Sequence, residues 1–173
     1  MDEMLEAIKQ RRSIRKYLDK EVSLDLIDKI CTAGAYAASG GGRQPVIVLA
    51  VTERDKVKQL SKLNASVMNV DIDPFYGAPV VLVVLADKNT RTYVYDGSLA
   101  LGNMMLEASS LGLGNCWIHR AKEMFESEEG KSILAQAGIV GDYEGIGNLV
   151  VGYPAEQPVA KERKEPFVYT LKG

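Results

Sequence analysis

Three observations predict a three-layer domain of the α+β or α/β class. Two continuous apolar runs, Val46 to Val51 and Val80 to Leu85, have the length of strands buried on both faces. Segments of helical spacing lie between and around them, the longest from Tyr93 to Leu111. The chain has 173 residues, 46% of them hydrophobic, with no internal repeat and no Pro- or Ser-rich linker, so 1–173 reads as a single domain.

Each element has its own warrant. Met4, Leu5, Ile8 and Ile14 suit a first amphipathic helix ending near a basic run. Ser23 is placed to cap a second helix whose Leu24, Ile27, Ile30 and Cys31 share one face, with Asp25 in the first turn. Ser39-Gly40-Gly41-Gly42 breaks the periodicity and makes a loop whose backbone can adopt positive φ. After the first strand, Thr52 and Asp55 form a capping-box pattern opening a short charged helix through Lys62. A polar loop runs to Gly77, before the second strand. Between Tyr95 and Gly112 the next helix carries only Asp96 and Glu107 as charges, so it belongs in the centre of the molecule or at a subunit interface. Asn115 to Ile118 reads as a short strand, Glu123 to Ala137 as a charged helix, and Leu149 to Gly152 as a last buried strand. Beyond Pro154 and Pro158 the chain extends, ending in the apolar segment Phe167 to Leu171.

Charge and composition exclude several classes. Lys and Arg number 21 against 23 acidic residues, a net charge of −2, which argues against nucleic acid or an anionic membrane as the main partner. The longest apolar run has seven residues, far below a membrane span. The N-terminus is charged from its second residue, unlike a signal peptide, so the expected location is the cytoplasm. Two cysteines and one histidine make neither a disulfide framework nor a metal site.

No nucleophile elbow, P-loop or dinucleotide fingerprint is present, so chemistry by this chain calls for a cofactor. From Lys9 to Lys16, five of eight residues are basic. Arg11, Arg12, Ser13 and Arg15 make a good phosphate cradle, since guanidinium groups match phosphate and the hydroxyl adds a neutral donor. The same residues also suit a solvated basic face at a helix end. A second basic cluster, Lys161, Arg163 and Lys164, lies near the C-terminus.

Taken in order, these pieces resemble the FMN-dependent nitroreductase-like oxidoreductases over essentially the whole chain. Arg11-Arg12-Ser13-Ile14-Arg15-Lys16-Tyr17 is similar to that family's phosphate-binding signature, and Ala38 to Pro45 to its Pro-Ser-x-x-Asn-x-Gln-Pro loop. Asp73 to Pro79, the helix with Asp96, Asn103 and Met104 leading into Gly112 to Ile118, and the basic tail recur at the matching places. The resemblance implies an α+β fold with a central, mainly antiparallel sheet and a domain-swapped homodimer, residues from about 155 to 173 forming an arm that reaches the partner.

It also implies a site. Arg11, Arg12, Ser13 and Arg15, helped by Lys161 or Arg163, would hold the FMN phosphate. Ala38, Ser39, Gly40, Gly42 and Gln44 would line the ribityl and ring, and backbone amides of Ile118, His119 and Arg120 would approach flavin N5. Hydride would pass from NAD(P)H through the flavin to an oxidised small molecule such as a nitroaromatic or quinone, with no catalytic side chain; His119 is read as idle rather than as a proton donor. Reductive dehalogenation, ene reduction and a non-enzymatic flavin- or nucleotide-binding module are the alternatives. The chain departs from the family pattern at Ala38 and Gly42, where proline and asparagine are expected, and its short segment between Ala86 and Tyr93 lacks the helical insertion that covers the flavin in longer members.

Overall fold

The computed structural model describes residues 3–171. Its centre is β2 (Val80–Asp87), which pairs antiparallel with β1 (Val46–Val51) on one side and β4 (Tyr143–Gly152) on the other; β3 (Gly114–Ile118) closes the sheet against β4. The order is therefore β1-β2-β4-β3, antiparallel throughout. Side chains of a strand alternate between faces, and β2 is apolar at both parities, so it builds two cores. Val80, Leu82 and Val84 face α2 (Leu24–Ala35) and α4 (Tyr93–Ser110). Val81, Val83 and Leu85 face α3 (Arg54–Met68) and α5 (Ala121–Glu126). The helical layers on both faces complete the three-layer α+β architecture.

Four elements differ from their sequence pattern. Helix α1 (Glu3–Gln10) ends before Ile14, which is buried in the extended segment that follows, while Met4, Leu5 and Ile8 stay exposed. Helix α3 starts at Arg54 with Glu53 rather than Thr52 at its cap, and runs on to Met68 because Leu63 and Ala65 continue the stripe of Val57 and Leu60. The charged helix is two, α5 and α6 (Glu128–Gln136), divided at Ser127, whose extended backbone lets its hydroxyl accept from the Gly130 N–H and donate to the Met124 carbonyl. Strand β4 begins six residues before the predicted Leu149, because Glu144, Gly145, Gly147 and Asn148 interrupt its apolar signal.

A bulge at Ile146 in β4 shifts the register between Val84 and Leu85. It presses Ile146 against α4 at Gly97, where a Cβ would stand 2.6 Å from Ile146 Cγ1. Helix α4 buries Gly97, Ala100, Leu101, Met104 and Ala108 on the sheet and leaves Val94, Tyr95 and Leu99 exposed. From Ala155 on, the tail has no regular structure, with Phe167, Val168, Tyr169 and Leu171 exposed. Among the described residues no helix is long and apolar enough to cross a membrane, and no His, Cys, Asp and Glu cluster could hold a metal.

Candidate functional site

The basic run is extended, and its backbone is pinned to the sheet edge. Ser13 bridges Asn115 in parallel, Ile14 N–H donates to the Asn115 carbonyl at 2.9 Å, and Leu18 N–H donates to Tyr153 O at 2.9 Å. Asn115 in turn donates its side-chain amide to Met105 O and Ser109 Oγ at the C-terminal end of α4. With the backbone held this way, Arg11 and Arg12 line a cleft of about 730 Å³ between this segment, the end of α4 and residues 154–158, whereas Ser13 and Arg15 do not line it.

The arginines behave differently there. Arg11 is partly buried, and its Nη1 is buried without a hydrogen-bond partner. Burial, opposed in part by Cys116, and then the charges of Arg12 and Arg163 hold its proton less firmly than usual. Arg12 turns back, donating to Lys9 O and Arg11 O at 2.6 and 2.7 Å. Arg15 is exposed; its guanidinium lies 5.9 Å from the Tyr76 ring centre, while its backbone N–H donates to Glu156 Oε1 at 2.5 Å. The buried Cys116 thiol donates to Trp117 O at 3.8 Å, and burial pushes its pKa up. Lys161 stands exposed in the tail.

The glycine loop lies elsewhere. Its Gly40 N–H donates to Asp96 Oδ1 at 2.9 Å, and Thr92 Oγ1 to Asp96 Oδ2 at 2.8 Å, so a buried carboxylate in the first turn of α4 ties the loop down. Residue 40 must be glycine, since a Cβ there would stand 2.3 Å from Thr92 Oγ1. Ser39 Oγ accepts from Gln44 N–H at 3.0 Å, and Ala38, Gly42 and Gln44 are exposed. Arg11 and Gly40 thus flank opposite ends of α4, and from Asp96 to Ser109 that helix rises about 20 Å.

Ile118, His119 and Arg120 form a third group at the far end of β3. Ile118 is buried, while His119 and Arg120 are exposed. Arg120 pairs with Glu123 at 2.7 Å, a bond that holds the Glu123 carboxyl below its ordinary range. Gln44, Tyr76 and Arg120 adopt φ of 49, 56 and 73°, one strained residue in or beside each group; such conformations cost roughly 1–3 kcal/mol each and gather at functional sites.

Four contributors are given no site role by the sequence. Asp96 and Asn115 look like ordinary helix and strand residues, and Glu156 looks like tail charge. Tyr76 belongs to a visible turn, Asp73-Pro74-Phe75-Tyr76-Gly77, whose Asp73 carboxylate accepts from Ser61 Oγ, Phe75 N–H and Gly77 N–H; its approach to Arg15 is tertiary.

An antiparallel sheet between helical layers, with a basic run along its edge strand and a glycine loop on its central helix, defines a class of α+β cofactor-binding domain. Residues 8–153 match the Nitroreductase family, and the chain belongs to that family. A protein of Methanothermobacter thermautotrophicus, provisionally named NADH dehydrogenase/NAD(P)H nitroreductase, is 32% identical over 170 residues, covering 95% of this chain and 84% of its own. An FMN reductase [NAD(P)H] of Bacillus subtilis is 28% identical, covering 94% and 70%. Among solved structures, a nitroreductase with bound FMN from Bacteroides fragilis superposes with a TM-score of 0.89 at 28% identity, covering 99% of this chain and 100% of that one.

Proposed function

We propose that the chain is an FMN-dependent oxidoreductase that takes hydride from NAD(P)H and passes electrons to a small oxidised acceptor of the nitroaromatic or quinone type. The observation that carries this reading is the buried, unpartnered Arg11 Nη1 above the cleft, with Arg12 and Arg163 adding like charge. A desolvated guanidinium among other cations is costly unless an anion completes it, and a phosphate monoester matches its donors. Arg11, Ser13 and Arg15 would hold the phosphate, with Arg12, Lys161 or Arg163 adding charge. The bound flavin supplies the hydride-accepting atom; the outward N–H groups of His119 and Arg120 supply fixed donors where negative charge develops. No side chain is assigned a proton transfer.

The same reading makes the protein a homodimer. The loop Ala38, Ser39, Gly40, Gly42 and Gln44 lies too far along α4 to share one mononucleotide with the cradle of its own chain. Two copies packed with their α4 helices antiparallel would set one loop beside the other's cradle, which fits the exposed Val94, Tyr95 and Leu99. The apolar tail, 155–173, would serve as the exchanged arm. Two free cysteines suit a reducing, cytoplasmic setting.

Purified protein should be yellow, release FMN on acid extraction, and bleach anaerobically with NADH or NADPH. Light scattering should give about twice 18.9 kDa. Deleting residues from Pro166 onward should cost both dimer and flavin. A colourless full-length protein that takes up no FMN on reconstitution would overturn the cofactor reading, and a stable monomer with stoichiometric FMN would overturn the assembly.

A further inference from the structure

Two carboxamides lie inside the α3/α5 core layer, and both turn their NH2 groups toward the end of β3. Asn64 of α3 and Asn148 of β4 are each fully buried. Asn64 Nδ2 donates to His119 O at 2.8 Å, and Asn148 Nδ2 to Ile118 O at 3.5 Å. Both amides also meet the Met124 sulfur, at 3.1 and 3.3 Å. The surrounding layer is apolar, built from Leu60, Phe75, Ile118 and Phe125 among others.

Packing alone does not account for the pair. A buried amide must be fully bonded to break even, and Oδ1 of each has no partner. Aliphatic side chains of similar volume would fill the layer without those orphaned oxygens. What the amides do is orient two peptide planes. The bonds at 118–120 are trans, so C=O and the next N–H point in opposite directions. Ile118 O directed at Asn148 turns the His119 N–H outward, and His119 O directed at Asn64 turns the Arg120 N–H outward. Ile118 is the last residue of β3 and pairs with Asn148 of β4, so the sheet also directs its carbonyl; regular alternation would turn the next carbonyl away, but His119 O is held at Asn64. The left-handed Arg120 follows, and two successive N–H groups are left on the exposed side, the arrangement of an anion-binding nest.

We propose that Asn64 and Asn148 are positioning residues that hold the His119 and Arg120 N–H groups as a preorganised donor pair, and so set the reduction potential of the flavin. This rests on the FMN reading above. Donors fixed toward the edge that gains negative charge on reduction favour the reduced form over the oxidised one.

The test compares wild type, Asn64→Leu and Asn148→Ala. Each is titrated anaerobically with oxidised FMN and with dithionite-reduced FMN, and the backbone amide NMR shifts of residues 119 and 120 are compared on the flavin-free chains. Asn64→Leu should weaken reduced FMN about tenfold more than oxidised FMN, which lowers the two-electron midpoint by about 30 mV. The backbone amide resonances of residues 119 and 120 should move and broaden. Asn148→Ala should act in the same sense by less, since its bond is longer; it carries the test if Asn64→Leu does not fold. Equal weakening of both redox forms, or none, overturns the proposal and returns the asparagines to a purely structural role. Wild type that binds no FMN overturns the cofactor reading instead, while the amide shifts of residues 119 and 120 still report whether the asparagines hold these peptides.

Discussion

Replacing Arg11 by methionine should have opposite effects on the flavin-free and the flavin-bound protein. Methionine keeps an unbranched stem and removes the charge. In the free chain Arg11 is disfavoured three ways: burial, Arg12 and Arg163. Its Nη1 is also a buried donor without a partner, and an unsatisfied buried donor costs roughly 1–3 kcal/mol. Recovering even about 1 kcal/mol should raise the melting temperature of the flavin-free chain by about 2–4 °C at this size. With FMN present the sign reverses. The charge-assisted bond to phosphate is lost, worth about 1.5–3 kcal/mol, so Kd should rise roughly 10- to 150-fold. Scanning calorimetry without FMN and fluorescence titration with it measure the two halves separately. A variant that melts lower and binds FMN as wild type does would refute the reasoning, because Arg11 would then be a structural cation rather than an anion receptor.

Arg15→Ala should also weaken FMN, by about 10- to 150-fold if its guanidinium meets phosphate, yet leave stability nearly unchanged, since an exposed cation contributes little to the fold; binding as in wild type would place Arg15 on the solvated face. Asp96→Ala removes the acceptor of both Gly40 N–H and Thr92 Oγ1, and should speed amide exchange across 40–44 while leaving exchange in β2 intact. Tyr17 gives a pH dependence: burial foremost raises its pKa above the ordinary value of 10.0, so the folded chain keeps a proton that the unfolded chain releases. Its contribution is therefore complete below about pH 10 and is lost as pH rises beyond that. Denaturant titrations should show this alkaline loss in wild type and a flatter profile in Tyr17→Phe, which also forfeits the bond to Ile14 O at 2.6 Å, about 0.5–1.5 kcal/mol.

Legibility of the fold followed from where the physics is local. Strands β1 and β2 are both continuous apolar runs, but only β2 is buried on both faces; β1, at the sheet edge, is half-buried with Ala50 exposed, because the pattern does not say which strand lies at the edge. Helix α4 announces itself by length and scarcity of charge. Strand β4 hides half its length because Gly145 and Gly147 stand beside Ala121 and Trp117, and those close approaches exist only after folding. The break at Ser127 is visible in retrospect as a capping serine, but helical periodicity runs through it on both sides. Ile14 misleads for a related reason: it sits at a plausible helical spacing and is buried by β3 instead.

The site divides along the same line. The basic run is legible as a local charge cluster, but an extended segment turns its side chains to different sides: Arg11 and Arg12 line one cleft, while Arg15 stands over Tyr76. Partition of duty among the arginines is not legible. Arg12 spends its donors on the carbonyls of its own helix end, Arg15 leans on Tyr76, and only Arg11 keeps a buried donor unspent; each outcome depends on which side the pinned backbone of Ser13 and Ile14 turns to the cleft. The separation of glycine loop and cradle is equally invisible in sequence, where both are short motifs with no stated distance. It follows from Asp96 anchoring one at the start of α4 and Asn115 anchoring the other at its end. If both motifs serve one mononucleotide, as proposed above, their separation of about 20 Å along a rigid helix keeps one chain from completing the site, and that is the physical reason the proposal calls for a second copy.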